Sequence, residues 1–238
     1  MKILLVDNHP LFRCGLRMVL SDLDPDLVCL QADGVRGAAA FAAASDDAVE
    51  LVLYGVPDHG DTAARLTGEL RASFPDAMLI ALVDVDDAAL ARRCVLAGAS
   101  GVVAKGAPPP VLVHTLRSVL QGRVMLPPSL MEAAGAAPAQ PRLSAEDAIR
   151  ARLPYDAGGP SIGDGPDAFD QELLWLSIRG LSIPRIAERC ALSRQAVEHR
   201  LAQAYRRMGA ADRADALIAA AVQGLTGLRP PQPLHPAR

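Results

Sequence analysis

The first half of the chain alternates between two hydrophobic rhythms. Short, nearly continuous apolar runs, KILLVD, DLVCLQA, ELVLY, AMLIALV and GVVAK, have the length of strands and are rich in Val, Ile and Leu. Between them, segments such as PLFRCGLRMVLSDL, GDTAARLTGELRASF, DDAALARRCVLAGA and PPPVLVHTLRSVLQG carry apolar residues at helical spacing. Strands apolar throughout are buried on both faces, and amphipathic helices between them supply the cover. Pro10 and Pro108 stand near helix starts, Gly98 and Gly122 near helix ends. The pattern predicts an α/β doubly wound five-stranded parallel sheet over residues 1–123. Sites in such folds lie at the carboxyl ends of the strands. That rule gathers Asp7, Asn8, Tyr54, Gly55, Val83 and Lys105 on one rim.

The rhythm stops near residue 124. Residues 124–168 are rich in Pro, Gly and Ala, with one short helical candidate, SAEDAIRARL, and are expected to form a linker, mobile at least in part. Helical spacing then returns over roughly 169–179, 182–190, 193–208 and 212–222. The tight CALS turn between the second and third helices suits a helix-turn-helix. A small all-α domain over 169–222 is expected, with a Pro-rich, disordered tail over 223–238.

Charge sharpens this division. Residues 1–125 hold 11 Lys and Arg against 15 Asp and Glu, whereas residues 182–213 hold seven Arg against Glu188, Glu198 and Asp212. An acidic front and a basic back suggest a sensing part joined to a polyanion-binding part. Cys14, Cys29, Cys94 and Cys190 match no zinc or redox spacing, so no metal or cofactor is expected. The N-terminal apolar run is too short for a signal peptide and no stretch has membrane-helix length, so a cytoplasmic protein without membrane contact is expected.

The pieces LLVDNHPLFRCGLRMVL and LAGASGVVAKGAPPPVL resemble the receiver domain of NarL/FixJ-type response regulators. The resemblance implies a magnesium-binding acidic pair after the first strand, an aspartate phosphoryl acceptor after the third, a hydroxyl after the fourth and a lysine after the fifth. Such chemistry needs an ionised nucleophile, and cations to offset the charge of the phosphoryl group. Asp7 matches the first acid and Lys105 the lysine, but Asn8 replaces the second acid and Val83 the hydroxyl. The acceptor position falls on Leu53, or on Gly55 if the loop is shortened, and neither can take a phosphoryl group. Asp58 and Asp61 fall past the strand as turn and cap residues. The resemblance therefore implies a degenerate phosphoryl site, with Lys105 pairing Asp7 or holding a different anion.

The stretch DQELLWLSIRGLSIPRIAERCALSRQAVEHRLAQAYRRMGAADRADALIAAA resembles the LuxR-type DNA-binding domain. The resemblance implies a recognition helix capped by Ser193, with Arg194, Gln195, Glu198 and His199 toward base edges and Arg200, Arg206 and Arg207 toward phosphates. Leu173, Leu174, Leu176, Ile186, Ala187, Leu192, Val197, Leu201 and Leu217 would form its core. It also implies weak homodimerisation through the last helix at Leu217 and Ile218. Together the resemblances imply a transcription regulator, not an enzyme, that binds double-stranded DNA. Its control would be independent of phosphorylation, through dimerisation, a protein partner or a small ligand at the receiver-like domain. The alternative is a signalling adaptor that binds a partner regulator or kinase without appreciable DNA binding.

Overall fold

A computed structural model describes residues 2–21, 27–44, 48–56, 60–120, 125–133 and 168–222. Strands β1 (Lys2–Val6), β2 (Val28–Ala32), β3 (Leu51–Gly55), β4 (Met78–Val83) and β5 (Gly101–Ala104) pair in parallel, in the order β2-β1-β3-β4-β5. Helices α1 (Pro10–Ser21), α2 (Val35–Ala44), α3 (Gly60–Ser73), α4 (Ala88–Leu96) and α5 (Pro109–Leu120) alternate with them. This is the expected doubly wound sheet.

Strand alternation sorts the core into two layers. Ile3, Leu5, Leu51, Leu53, Ile80 and Leu82 pack with Leu16, Leu20 and Leu116, contributed by α1 and α5. The intervening residues, among them Leu4, Val52, Tyr54, Leu79, Ala81 and Val83, pack with Ala38, Ala63, Leu70 and Leu90 of α2, α3 and α4. Tyr54 is fully buried, and its hydroxyl shares a 2.8 Å hydrogen bond with Thr67 Oγ1.

The expected linker is corrected at its start. Met125 forms a parallel bridge with Gly101, and α6 (Pro128–Ala133) buries Leu130 and Met131 against the second core layer. These two apolar side chains pack on the side of the sheet that carries α4. The remainder up to residue 167, including the SAEDAIRARL candidate, and the 223–238 tail lie outside the described residues.

The C-terminal helices are α7 (Ala168–Ile178), α8 (Ile183–Arg189), α9 (Arg194–Arg207) and α10 (Arg213–Val222). Leu173, Trp175, Leu176, Ile186, Val197 and Leu201 form a separate small core. The turn between α8 and α9 closes with Leu192 N–H donating to Ala187 O at 2.9 Å and Ala191 N–H to Glu188 O at 3.4 Å. This paired 6→1 and 5→2 pattern requires a left-handed residue, here Ala191 at φ 53°. Ser193 then caps α9, its side chain accepting from Ala196 N–H at 3.1 Å.

Helix α10 departs from expectation. Leu217 belongs not to the small core but to the second layer of the N-terminal domain, with Ala214, Ile218 and Ala220. Leu217 is 0% and Ile218 7% exposed, so neither offers a free dimerisation stripe in this arrangement. The apolar stripe of α10 is covered by α4 of the same chain.

Candidate functional site

At the rim, Asp7 and Gly55 extend from the tips of paired strands β1 and β3. The Asp7 carboxylate is nearly buried, at 6% exposure. Its Oδ1 accepts from the His9 amide at 2.8 Å and lies 2.8 Å from His9 Nδ1; its Oδ2 lies 3.3 Å from Lys105 Nζ. Burial alone would raise the Asp7 carboxyl, but the His9 amide and ring and the Lys105 ammonium outweigh it and hold it below its ordinary range. Lys105 reaches Asp84 Oδ2 as well, at 3.3 Å, and stands 5.3 Å from the Phe12 ring centre.

Leu53 is buried two residues inside the strand, so the residue at the strand tip beside Asp7 is Gly55. A Cβ placed on Gly55 would lie 1.9 Å from Asp7 Oδ2 and 3.3 Å from Lys105 Nζ. The space a side chain would need at the strand tip is already filled by an ion pair. Val83 does not reach this rim: it is buried in the opposite layer, and the strand end presents Asp84 instead. Sequence reasoning missed Asp84 because spacing locates a position but not the face on which it emerges. Asn8 is exposed and lines the same cavity of about 250 Å³.

These residues do not fit the divalent cation that the receiver resemblance implies. The buried acid is committed to an ammonium and a histidine, and Asn8 brings no charge to replace a second acid. Among the described residues, no group of three or more His, Cys, Asp or Glu side chains is placed to hold a metal.

The helix-turn-helix site divides into three parts. Arg194 and Gln195 are exposed on the first turn of α9, followed by exposed Glu198 and His199; His199 Nε2 lies 2.7 Å from the Gln203 amide nitrogen. Arg200 and Arg207, expected toward phosphates, meet an acid of their own domain. They lie 3.3 and 3.4 Å from the two carboxylate oxygens of Asp170 on α7, and Arg200 stacks 4.9 Å from the Phe169 ring centre. A nearly buried carboxylate draws nearby guanidinium groups, so these arginines tie α7 to α9. Arg206 is exposed, and with Glu198 and Ala202 it faces a cleft whose opposite side carries Leu96, Ala97 and Gly98 from the end of α4.

That cleft exists because the C-terminal helices are docked on α4. Arg213 Nε donates to Ser177 O at 2.6 Å, and its Nη2 to Ala99 O at 2.8 Å and Ile178 O at 3.1 Å; Nη1 donates to Val95 O. One guanidinium thus joins carbonyls at the C-terminal ends of α4 and α7, the negative ends of both helices. Burial pushes the Arg213 guanidinium down to about 10. Arg92 adds ion pairs to Asp212 and Asp215 at 2.6 and 2.7 Å, and Arg185 Nε donates to Asp76 at 3.0 Å. Gly98 and Gly180, both at positive φ, let the backbones meet: a Cβ on Gly180 would lie 2.2 Å from Gly98 O. None of these cross-domain contacts was foreseen, since each pairs residues far apart in sequence.

No protein-family model matches the chain. It is 29% identical over 143 residues to response regulator GacA of Pseudomonas syringae, covering 60% of this chain and 66% of that protein. To response regulator UvrY of Escherichia coli it is 31% identical over 121 residues, covering 51% of this chain and 55% of that protein. The chain therefore spans between about half and two thirds of the length of these curated relatives. Among solved structures, it is similar to a LuxR family DNA-binding response regulator from Silicibacter pomeroyi, with 31% identity and a TM-score of 0.47 over 54% of this chain and 98% of that one. No helix among the described residues is long and apolar enough to cross a membrane.

Proposed function

We propose that this chain, whose homologues are response regulators, is a DNA-binding transcription regulator controlled without aspartyl phosphorylation. The observation that carries the DNA-binding part is the Ser193-capped helix α9. Its first turn leaves Arg194 and Gln195 exposed, behind a turn of the geometry a helix-turn-helix requires. The observation that carries the control part is Gly55, whose side-chain space is taken by the Asp7–Lys105 pair.

Control then lies in the docking of the two domains. In the docked form, Glu198 and Arg206 face α4 across the cleft and the α10 stripe is covered. A duplex approaching α9 needs that flank, and a dimer through Leu217 and Ile218 needs that stripe, so opening precedes both. The adaptor reading draws on Glu198 at the base-facing turn and on Asp170, which engages Arg200 and Arg207.

The test is selection of genomic DNA fragments by the purified, unphosphorylated chain at two salt concentrations. Enrichment of particular fragments, weakened by salt, is expected. No enrichment at either salt refutes unassisted DNA binding and leaves the adaptor.

A further inference from the structure

The cleft between the domains encloses about 770 Å³, within the size range of sites for small organic ligands. Leu96 lines it from the N-terminal domain, and Leu181, Ile183, Ile186 and Leu201 from the C-terminal one. Set into this apolar lining are two cations, the buried Arg71 and the half-buried Arg213. Arg71 is only 6% exposed. Its Nη1 donates to Phe74 O, Pro75 O and Ala77 O at 3.2, 3.2 and 2.7 Å, and its Nη2 to Gly98 O at 3.0 Å. Its Nε–H has no acceptor among the described residues.

The acceptors around both guanidinium groups are backbone carbonyls, which offset charge only in part. Burial, then the neighbouring Arg213, pushes Arg71 down to about 10, so the cations sit in one another's field. Arg206 adds a third positive group to the lining. Of the two acids there, Asp212 is bound by Arg92 at 2.6 Å, and Glu198 is exposed on α9. The cleft is therefore apolar and positive, and one donor buried in its wall is unused. A buried cationic donor left without an acceptor costs free energy that an entering anion recovers.

We propose that the cleft binds a small amphipathic carboxylate. Its apolar body packs against Leu181, Ile186 and Leu201, and its carboxylate turns to Arg71. The site is distinct from the rim around Lys105; because the cleft is formed only in the docked arrangement, the proposal rests on that reading and its occupancy opposes DNA binding.

The experiment is calorimetric titration of the full chain, without DNA. The probes are benzoate, indole-3-acetate and 4-methylvalerate, each beside its primary amide, with inorganic phosphate and sulfate as further arms. At least one carboxylate binds one-to-one, and its amide binds roughly tenfold more weakly or worse. Arg71→Gln weakens the carboxylate to the level of the amide. Because Arg71 also holds the end of α3, Ala202→Trp provides a second variant: it fills the cleft from an exposed position and abolishes binding. Failure of every carboxylate, equal binding of amides, binding of phosphate or sulfate alone, or undiminished binding to Ala202→Trp overturns the proposal.

Discussion

Replacing Arg92 with Ala should raise affinity for a selected DNA fragment. Arg92 bridges the domains through ion pairs of 2.6 and 2.7 Å, and the three side chains are each about a third exposed. Pairs in such partial contact with water contribute roughly 0.2–1 kcal/mol each, so losing both weakens docking by about 1 kcal/mol. At room temperature that shifts the docked–open balance about fivefold, and where the open form alone binds DNA the apparent affinity rises by about the same factor. The sign is diagnostic. Removing a positive charge weakens attraction to DNA, so a gain in affinity cannot come from direct electrostatics. Fluorescence anisotropy at fixed salt measures the effect. Arg65→Ala serves as control, since its 2.6 Å pair with Glu69 lies within α3. Raising the salt screens the Arg92 pairs and narrows the gap between the two proteins. Equal or weaker binding by a folded Arg92→Ala refutes the claim that docking opposes DNA binding.

Ala191→Gly should stabilise the C-terminal helices by up to about 1 kcal/mol, because glycine occupies left-handed φ without strain, and urea unfolding would register it. Asp170→Ala should destabilise by roughly 1–3 kcal/mol, since Arg200 and Arg207 lose their shared carboxylate; a fall in melting temperature with unchanged α9 sequence checks it. Because the folded Asp7 carboxyl is lowered, its stabilising contribution is complete above the unfolded value of about 4 and is lost as pH falls toward the folded one. Asp7→Asn should therefore flatten the acid limb of stability against pH, and an unchanged limb would count against the Asp7–Lys105–His9 arrangement.

The legible parts of this molecule were those set by short-range pattern. Apolar runs marked five strands in their places, the lysine four residues past AGASG was Lys105, and Ser193 advertised its cap. Where a residue's role depends on which face it meets, pattern was insufficient. Leu53 and Gly55 were both candidates until strand pairing put Gly55 at the tip beside Asp7. Val83 and Asp84 are adjacent, yet alternation sends one into the core and the other to Lys105. The positive charge of α9 was visible, but not that one buried acid on α7 engages two of its arginines. Arg213 looked like part of a helix-turn-helix frame; its grip on Val95 and Ala99 depends on a domain contact that no local signal encodes.

The sharing of one apolar layer between the sheet and α10 changes what counts as a part of this protein. Excising the N-terminal half would strip Leu90, Ala91 and Val95 of the cover provided by Leu217 and Ile218, leaving a greasy scar on α4. The opening proposed above would expose the same scar on both halves at once. Such an opening would create two sticky surfaces tethered by one chain, so that reclosure would compete with whatever partner reaches them first.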